Sequence, residues 1–103
     1  MPYRVEWAES AIADLIAAVD YIARDSPSYA ASLAVQADQA ALSLADFPNR
    51  GRRVREYPKP ASRELILGGS YRLIYQVSGT TVSVIAILHS SRNLPGANED
   101  DGP

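Results

Sequence analysis

Residues 63–92 read RELILGGSYRLIYQVSGTTVSVIAILHSSR, and the punctuation of this stretch decides the fold. Three apolar runs, Ser62 to Leu67, Tyr71 to Val77 and Thr80 to His89, are separated by Gly68-Gly69 and Ser78-Gly79. Short runs of this kind broken by glycine turns predict consecutive antiparallel strands. In the second run Tyr71, Leu73, Tyr75 and Val77 alternate with Arg72, Ile74 and Gln76, so both tyrosines are expected in the core. In the third, Val82, Val84, Ala86 and Leu88 are expected on one face, and Ile85, Ile87 and His89 on the other. A strand apolar on both sides predicts a central position with both faces covered.

The rest of the chain supplies one cover. Tyr3, Val5 and Trp7 alternate with Arg4 and Glu6, which predicts a short half-buried strand. From Ala8 to Asp25 the period changes: Ile12, Leu15, Ile16, Val19, Ile22 and Ala23 form one helical stripe. Ser26 suits a helix N-cap and Pro27 a first turn, so a second helix runs from about Pro27 to Asp46. Its predicted buried face is rich in alanine (Ala30, Leu33, Ala34, Ala37, Ala40, Ala41, Leu44), which allows close approach in a helical hairpin. Phe47 is expected to anchor the hairpin in the core. The order strand, helix, helix, strand, strand, strand predicts an α+β fold with the helices on one face of a mainly antiparallel sheet. Two helices cover one face only. The other face calls for the chain's own tail, a dimer mate or another protein.

The chain has 103 residues and a net charge of −2, but its charge is segregated. Residues 1–49 carry −5, residues 50–95 carry +6, and residues 96–103 (GANEDDGP) carry −3. Residues 1–95 are expected to form a single domain and residues 96–103 a disordered acidic tail. The loop from Asn49 to Ala61, NRGRRVREYPKPA, is where positive charge peaks, and such a face suits an acidic protein or nucleic acid. There is no cysteine and one histidine, so disulfides, thiolate metal sites and multi-histidine metal sites are excluded. No cofactor is expected. No apolar run approaches a membrane span, and the N-terminus lacks a signal-peptide layout, so a cytoplasmic location is expected.

Arg63, Arg72, His89 and Arg92 are the candidates for chemistry. Cleavage of RNA through its 2′-hydroxyl needs a base, a stabiliser for the charged phosphorane and an acid for the leaving oxygen. Glu64 or Glu56, Arg72 with Arg63, and His89 carry the right groups. A histidine at a strand end is more commonly structural, and Arg72 has an ion-pair partner close by in Glu64.

Several stretches, taken in order, resemble ParE-type toxins of the RelE/ParE superfamily of type II toxin–antitoxin systems. They are the strand ending at Trp7, AIADLIAAVDYIARDSP (11–27), LADFPNRGR (44–52), RELILGGSYRLIYQV (63–77) and VIAILHSSRNLP (84–95). The resemblance covers residues 3–95. It implies a strand, a helical hairpin and three further strands. It also implies a protein-binding toxin, not an enzyme, that holds the DNA gyrase A subunit and stalls its cleavage complex with DNA. A ParD-like antitoxin would neutralise it by direct binding and would make the contacts with DNA. On that reading Arg52, Arg53, Arg55, Arg63, Arg72, Ile74, Ile85, Ile87, His89 and Arg92 form partner-binding surface. The alternative is a RelE-like ribosome-dependent mRNA interferase, with Arg63, Arg72, His89 and Arg92 catalytic. One departure from the family pattern is Ala8-Glu9, where a Thr-Pro pair often opens the first helix. A missing cap of that kind costs about 1 kcal/mol.

Overall fold

The computed structural model describes residues 2–54 and 62–90. Arg55, Glu56, Arg92 and the acidic tail therefore lie outside the described residues. The elements are β1 (Arg4–Trp7), α1 (Glu9–Ala23), α2 (Pro27–Ser43), β2 (Arg52–Arg53), β3 (Ser62–Leu67), β4 (Tyr71–Ser78) and β5 (Thr81–His89). They form one open five-stranded sheet in the order β1-β5-β4-β3-β2. The pairs β2–β3, β3–β4 and β4–β5 are antiparallel, whereas β1 runs parallel to β5. The α+β architecture with a helical pair on one sheet face is the expected one. The two-residue strand β2 is an addition, made from the basic loop.

Ser26 caps α2: its hydroxyl accepts the Tyr29 N–H at 3.2 Å, and Pro27 fills the first turn. At the start of α1, Ala8 makes no side-chain cap, so the first helix lacks what the second has. The helices meet through small side chains, with Ala11 and Ala18 on α1 and Ala30, Leu33, Ala37 and Ala41 on α2 all buried. All of these but Ala30 join Leu73, Tyr75, Val82 and Val84 in the main core, so Tyr75 is core as its alternation predicts.

The core departs from expectation at three places. Ile12 and Ile16 are 45% and 56% exposed, because Ala11 and Ala18 take the positions of closest approach and rotate the stripe. Phe47 is 65% exposed, and Leu44 anchors the end of the hairpin instead. The third correction concerns β5. Ile74 pairs with Ala86 but Tyr75 pairs with Val84, so Ile85 is an extra residue that breaks the register. Such a bulge switches which side chains face the core. Val82 and Val84 point to the helices, and beyond the bulge Ile87 does so too. Ala86 joins Val54 and Ile74 in a second cluster on the opposite face, with Ile85 and Leu88 packed against it. The expected grouping of Ile87 with Ile85, and of Ala86 and Leu88 with Val84, is therefore overturned. The second face also has its own small apolar cover in Val54, so it is not left wholly to a partner.

Beyond the bulge β1 has ended, and α1 satisfies the outer edge of β5. The Ser10 hydroxyl donates to the Ile85 carbonyl at 3.2 Å, and Asp14 Oδ2 accepts the Ile87 N–H at 3.1 Å. Buried or half-buried backbone groups rarely go unpaired, and two helix side chains here replace a strand neighbour.

Candidate partner-binding surfaces

Strand register fixes where each candidate side chain stands. On β3 and β4, Arg63 lies opposite Tyr75, Glu64 opposite Ile74 and Ile66 opposite Arg72. Tyr75 belongs to the helix-side core, so Arg63 projects to the helix side and Arg72 and Glu64 to the other. His89 lies opposite Tyr71, on the helix side. Arg63 and His89 thus sit four residues apart along β4, about 14 Å at the usual strand rise, and Arg72 points away from both. Arg63, Arg72 and His89 therefore do not come together, whereas Arg72 does meet Glu64, a candidate base.

On the face away from the helices, Glu64 is the hub. Its Oε1 accepts from Arg72 Nη1 at 2.8 Å, and its Oε2 accepts from Arg52 Nε. The side chains of Arg72 and Glu64 are 8% and 4% exposed, while Arg52 stands in solvent. Two charges withdrawn from water hold together only with good geometry, and this pairing fixes Arg72 inside the sheet. Ile66, opposite Arg72, is exposed, and Ile85 is half-buried at the bulge. Ile74 is fully buried and Ile87 nearly so, so neither offers surface to a partner.

At the β2 end a second basic group forms. Arg53 and Arg63 lie directly opposite each other on β2 and β3. Arg63 Nη1 donates to the carbonyl of Gly51 at 2.7 Å and to that of Asn49 at 3.4 Å. The N–H of Gly51 donates to the Tyr75 hydroxyl at 2.9 Å. A side chain at Gly51 would meet the Glu64 carbonyl at 2.7 Å and the Tyr75 ring and hydroxyl at 2.8 Å, so only glycine lets the loop come this close. Burial raises the Tyr75 hydroxyl above its ordinary pKa, and the Gly51 N–H, Arg63 and Arg50 oppose that rise. Arg50 donates to the Ser43 hydroxyl. No carboxylate lies within ion-pair distance of Arg50, Arg53 or Arg63 among the described residues.

His89 stands exposed at the end of β5 and meets Tyr71 edge to face, ring centres 5.3 Å apart. It borders an open groove of about 610 Å³ between α1 and the ends of β4 and β5, with Asp14, Tyr21, Tyr71 and Ile87. The helical pair also exposes Ile12, Ile16, Val35 and Leu42. Sequence reasoning placed Ile12 and Ile16 in the core. The available signal was a stripe wider than one helix face can bury. Among the described residues no cluster of metal-binding side chains occurs, and no helix is long and apolar enough to cross a membrane.

The architecture has counterparts among toxin–antitoxin proteins. In the chromosomal ParDE system from P. aeruginosa, one chain superposes with a TM-score of 0.70 at 22% identity, covering 84% of this chain and 95% of that one. The RelBE2 toxin–antitoxin complex from Mycobacterium tuberculosis gives 0.59 at 26% identity, covering 86% and 99%. The E. coli toxin RelE in its free state gives 0.62 at 22% identity, covering 88% and 86%. In sequence, the Toxin RelE2 of Caulobacter vibrioides is 37% identical over 89 residues, which is 86% of this chain and 97% of that protein. Residues 5–94 match the family model described as the ParE toxin of the type II toxin–antitoxin system, parDE. This chain therefore belongs to the ParE toxin family, within the RelE/ParE superfamily of type II toxin–antitoxin systems.

Proposed function

We propose that this toxin acts in the cytoplasm by binding protein, with the DNA gyrase A subunit as its target and a ParD-like antitoxin as its neutralising partner. The observation that carries the reading is the placement of Arg72. Its guanidinium is sealed beneath the sheet surface and bound to Glu64, on the face opposite Arg63 and His89. A phosphorane stabiliser must reach the reacting phosphate and stand beside the acid as well as the base, whereas Arg72 is withdrawn from the surface and, although it meets Glu64, lies on the sheet face opposite His89. Arg52, Arg53, Arg63, Ile85 and His89 remain as surface for partners. The exposed apolar residues of the helical pair suit an amphipathic antitoxin segment laid across them.

The test is tightly controlled expression in bacteria, following chromosomal breaks and transcript integrity together. Gyrase-dependent DNA breaks with intact mRNA support the proposal. Cleavage of mRNA in translating ribosomes, lost on Arg72→Ala or His89→Ala, would overturn it in favour of an mRNA interferase.

A further inference from the structure

On α1, Asp14, Ala17, Ala18 and Tyr21 recur at the three- and four-residue spacing that puts side chains on one helix face. That face looks onto the ends of β4 and β5, where Tyr71, Ile87 and His89 stand, and the two layers frame the open groove of about 610 Å³. The groove exists because alanines hold the middle of the helix face. Tyr21 is 66% exposed, so its ring forms a wall and not a plug.

The lining selects an occupant. Its floor is apolar, made of Ala17, Ala18 and Ile87. Its walls are rings, with Tyr71 and His89 edge to face on one side and Tyr21 on the other. The one carboxylate in the described lining belongs to Asp14. Asp14 Oδ2 accepts the Ile87 N–H at 3.1 Å, which leaves most of its acceptor capacity, since a carboxylate offers about four lone-pair sites. No arginine among the described residues lies within ion-pair distance of it.

An apolar trough with aromatic walls and a carboxylate fits an amphipathic cation, whose stem packs on the floor while its head meets the charge. A guanidinium also stacks on rings and forks onto a carboxylate, which an ammonium does not. Tyr21 already accepts such a group: the Arg24 guanidinium lies 5.8 Å from its ring centre, outside the groove lining. Residues 1–49 carry −5, which draws cations to this half of the chain. Asp14 and Tyr21 are two helical turns apart, about 10 Å at the usual rise, which leaves room for one extended arginine side chain.

We propose that this groove seats an arginine side chain supplied by the toxin's protein target, held by Asp14 and flanked by Tyr21 and Tyr71. The inference rests on the protein-binding reading above and adds where a positive charge of the target docks.

The test titrates the full chain with acetyl-Gly-Arg-Gly-amide and follows the Ile87 N–H and the Tyr21 and Tyr71 ring signals by NMR. These signals should shift together and saturate. The citrulline peptide, the same shape without the charge, should leave them in place. Asp14→Asn, whose amide oxygen can still accept the Ile87 N–H, should weaken binding several-fold. Asp20→Asn, the same charge change outside the groove lining, should leave it nearly unchanged. Purified gyrase A subunit should release the peptide. No shift in the millimolar range, an equal response to citrulline, equal weakening by the two Asn variants, or peptide retained beside bound gyrase A would each overturn the proposal. Peptide binding without gyrase A binding would sink the gyrase reading alone and uphold the groove as an arginine site.

Discussion

Glu64 and Arg72 form an ion pair at 2.8 Å with both side chains withdrawn from water, on the sheet face that no helix covers. Removing Glu64 takes from the buried Arg72 guanidinium its 2.8 Å carboxylate, and breaking a buried ion pair typically costs 3–5 kcal/mol. Glu64→Gln should lower the unfolding free energy by about that amount in urea titration. The double variant Glu64→Leu/Arg72→Met should lose far less, because it buries no charge. Losses that simply add in the double variant would show that packing, not charge, governs the pair.

The helix starts offer a paired experiment. Ser26→Ala should destabilise the protein by about 1 kcal/mol, because the Tyr29 N–H loses its acceptor. Ala8→Ser should stabilise by a similar amount, because α1 has no side-chain cap to lose. Thermal unfolding of both variants beside the wild type reads the two signs directly.

Tyr75 predicts a loss of stability in alkali. Its folded pKa is raised by burial, so between the unfolded value of about 10 and the folded value the native state holds a proton that the unfolded chain has released. Its contribution is complete below pH 10 and falls as pH rises through that window. Tyr75→Phe should flatten the fall. It should also cost about 1–3 kcal/mol at neutral pH, because the Gly51 N–H is left without its acceptor. Denaturation midpoints from pH 7 to 11 distinguish the two effects.

The bulge separates two isoleucines that differ by two positions. Ile87→Asp places a carboxylate in the helix-side core and should prevent folding. Ile85→Asp alters a half-buried residue on the other face and should leave a folded protein. If the antitoxin uses that face, the Ile85 variant should fail to bind a ParD-like partner in calorimetric titration while keeping its circular dichroism melt. Retained affinity would move the antitoxin contact to the helical pair.

The contrast between these two residues also marks how far sequence could see. Alternation in β4 placed Leu73 and Tyr75 correctly, and Ser26-Pro27 located the break between the helices, because each signal depends on neighbours in the chain. The bulge at Ile85 leaves no such trace: one extra residue in an apolar run looks like more of the same strand. The Glu64–Arg72 pair was visible as a possibility, but its burial was not, since charged side chains are ordinarily exposed. Phe47 shows the converse. A large aromatic beside a proline invites a core assignment, yet Leu44 already fills the end of the hairpin.

The parallel contact of β1 with β5 bears on how the protein is made. Val5 pairs with Val82, so β1 has its place in the sheet beside β5, which is made later than every other described strand. During translation the helical pair and the β3–β4 hairpin can assemble from nearby residues, but β1 must wait. Until the ribosome has released β5, the nascent chain carries Tyr3, Val5 and Trp7 without the strand they dock on. The described sheet, and any activity that depends on it, is therefore complete only once β5 has emerged.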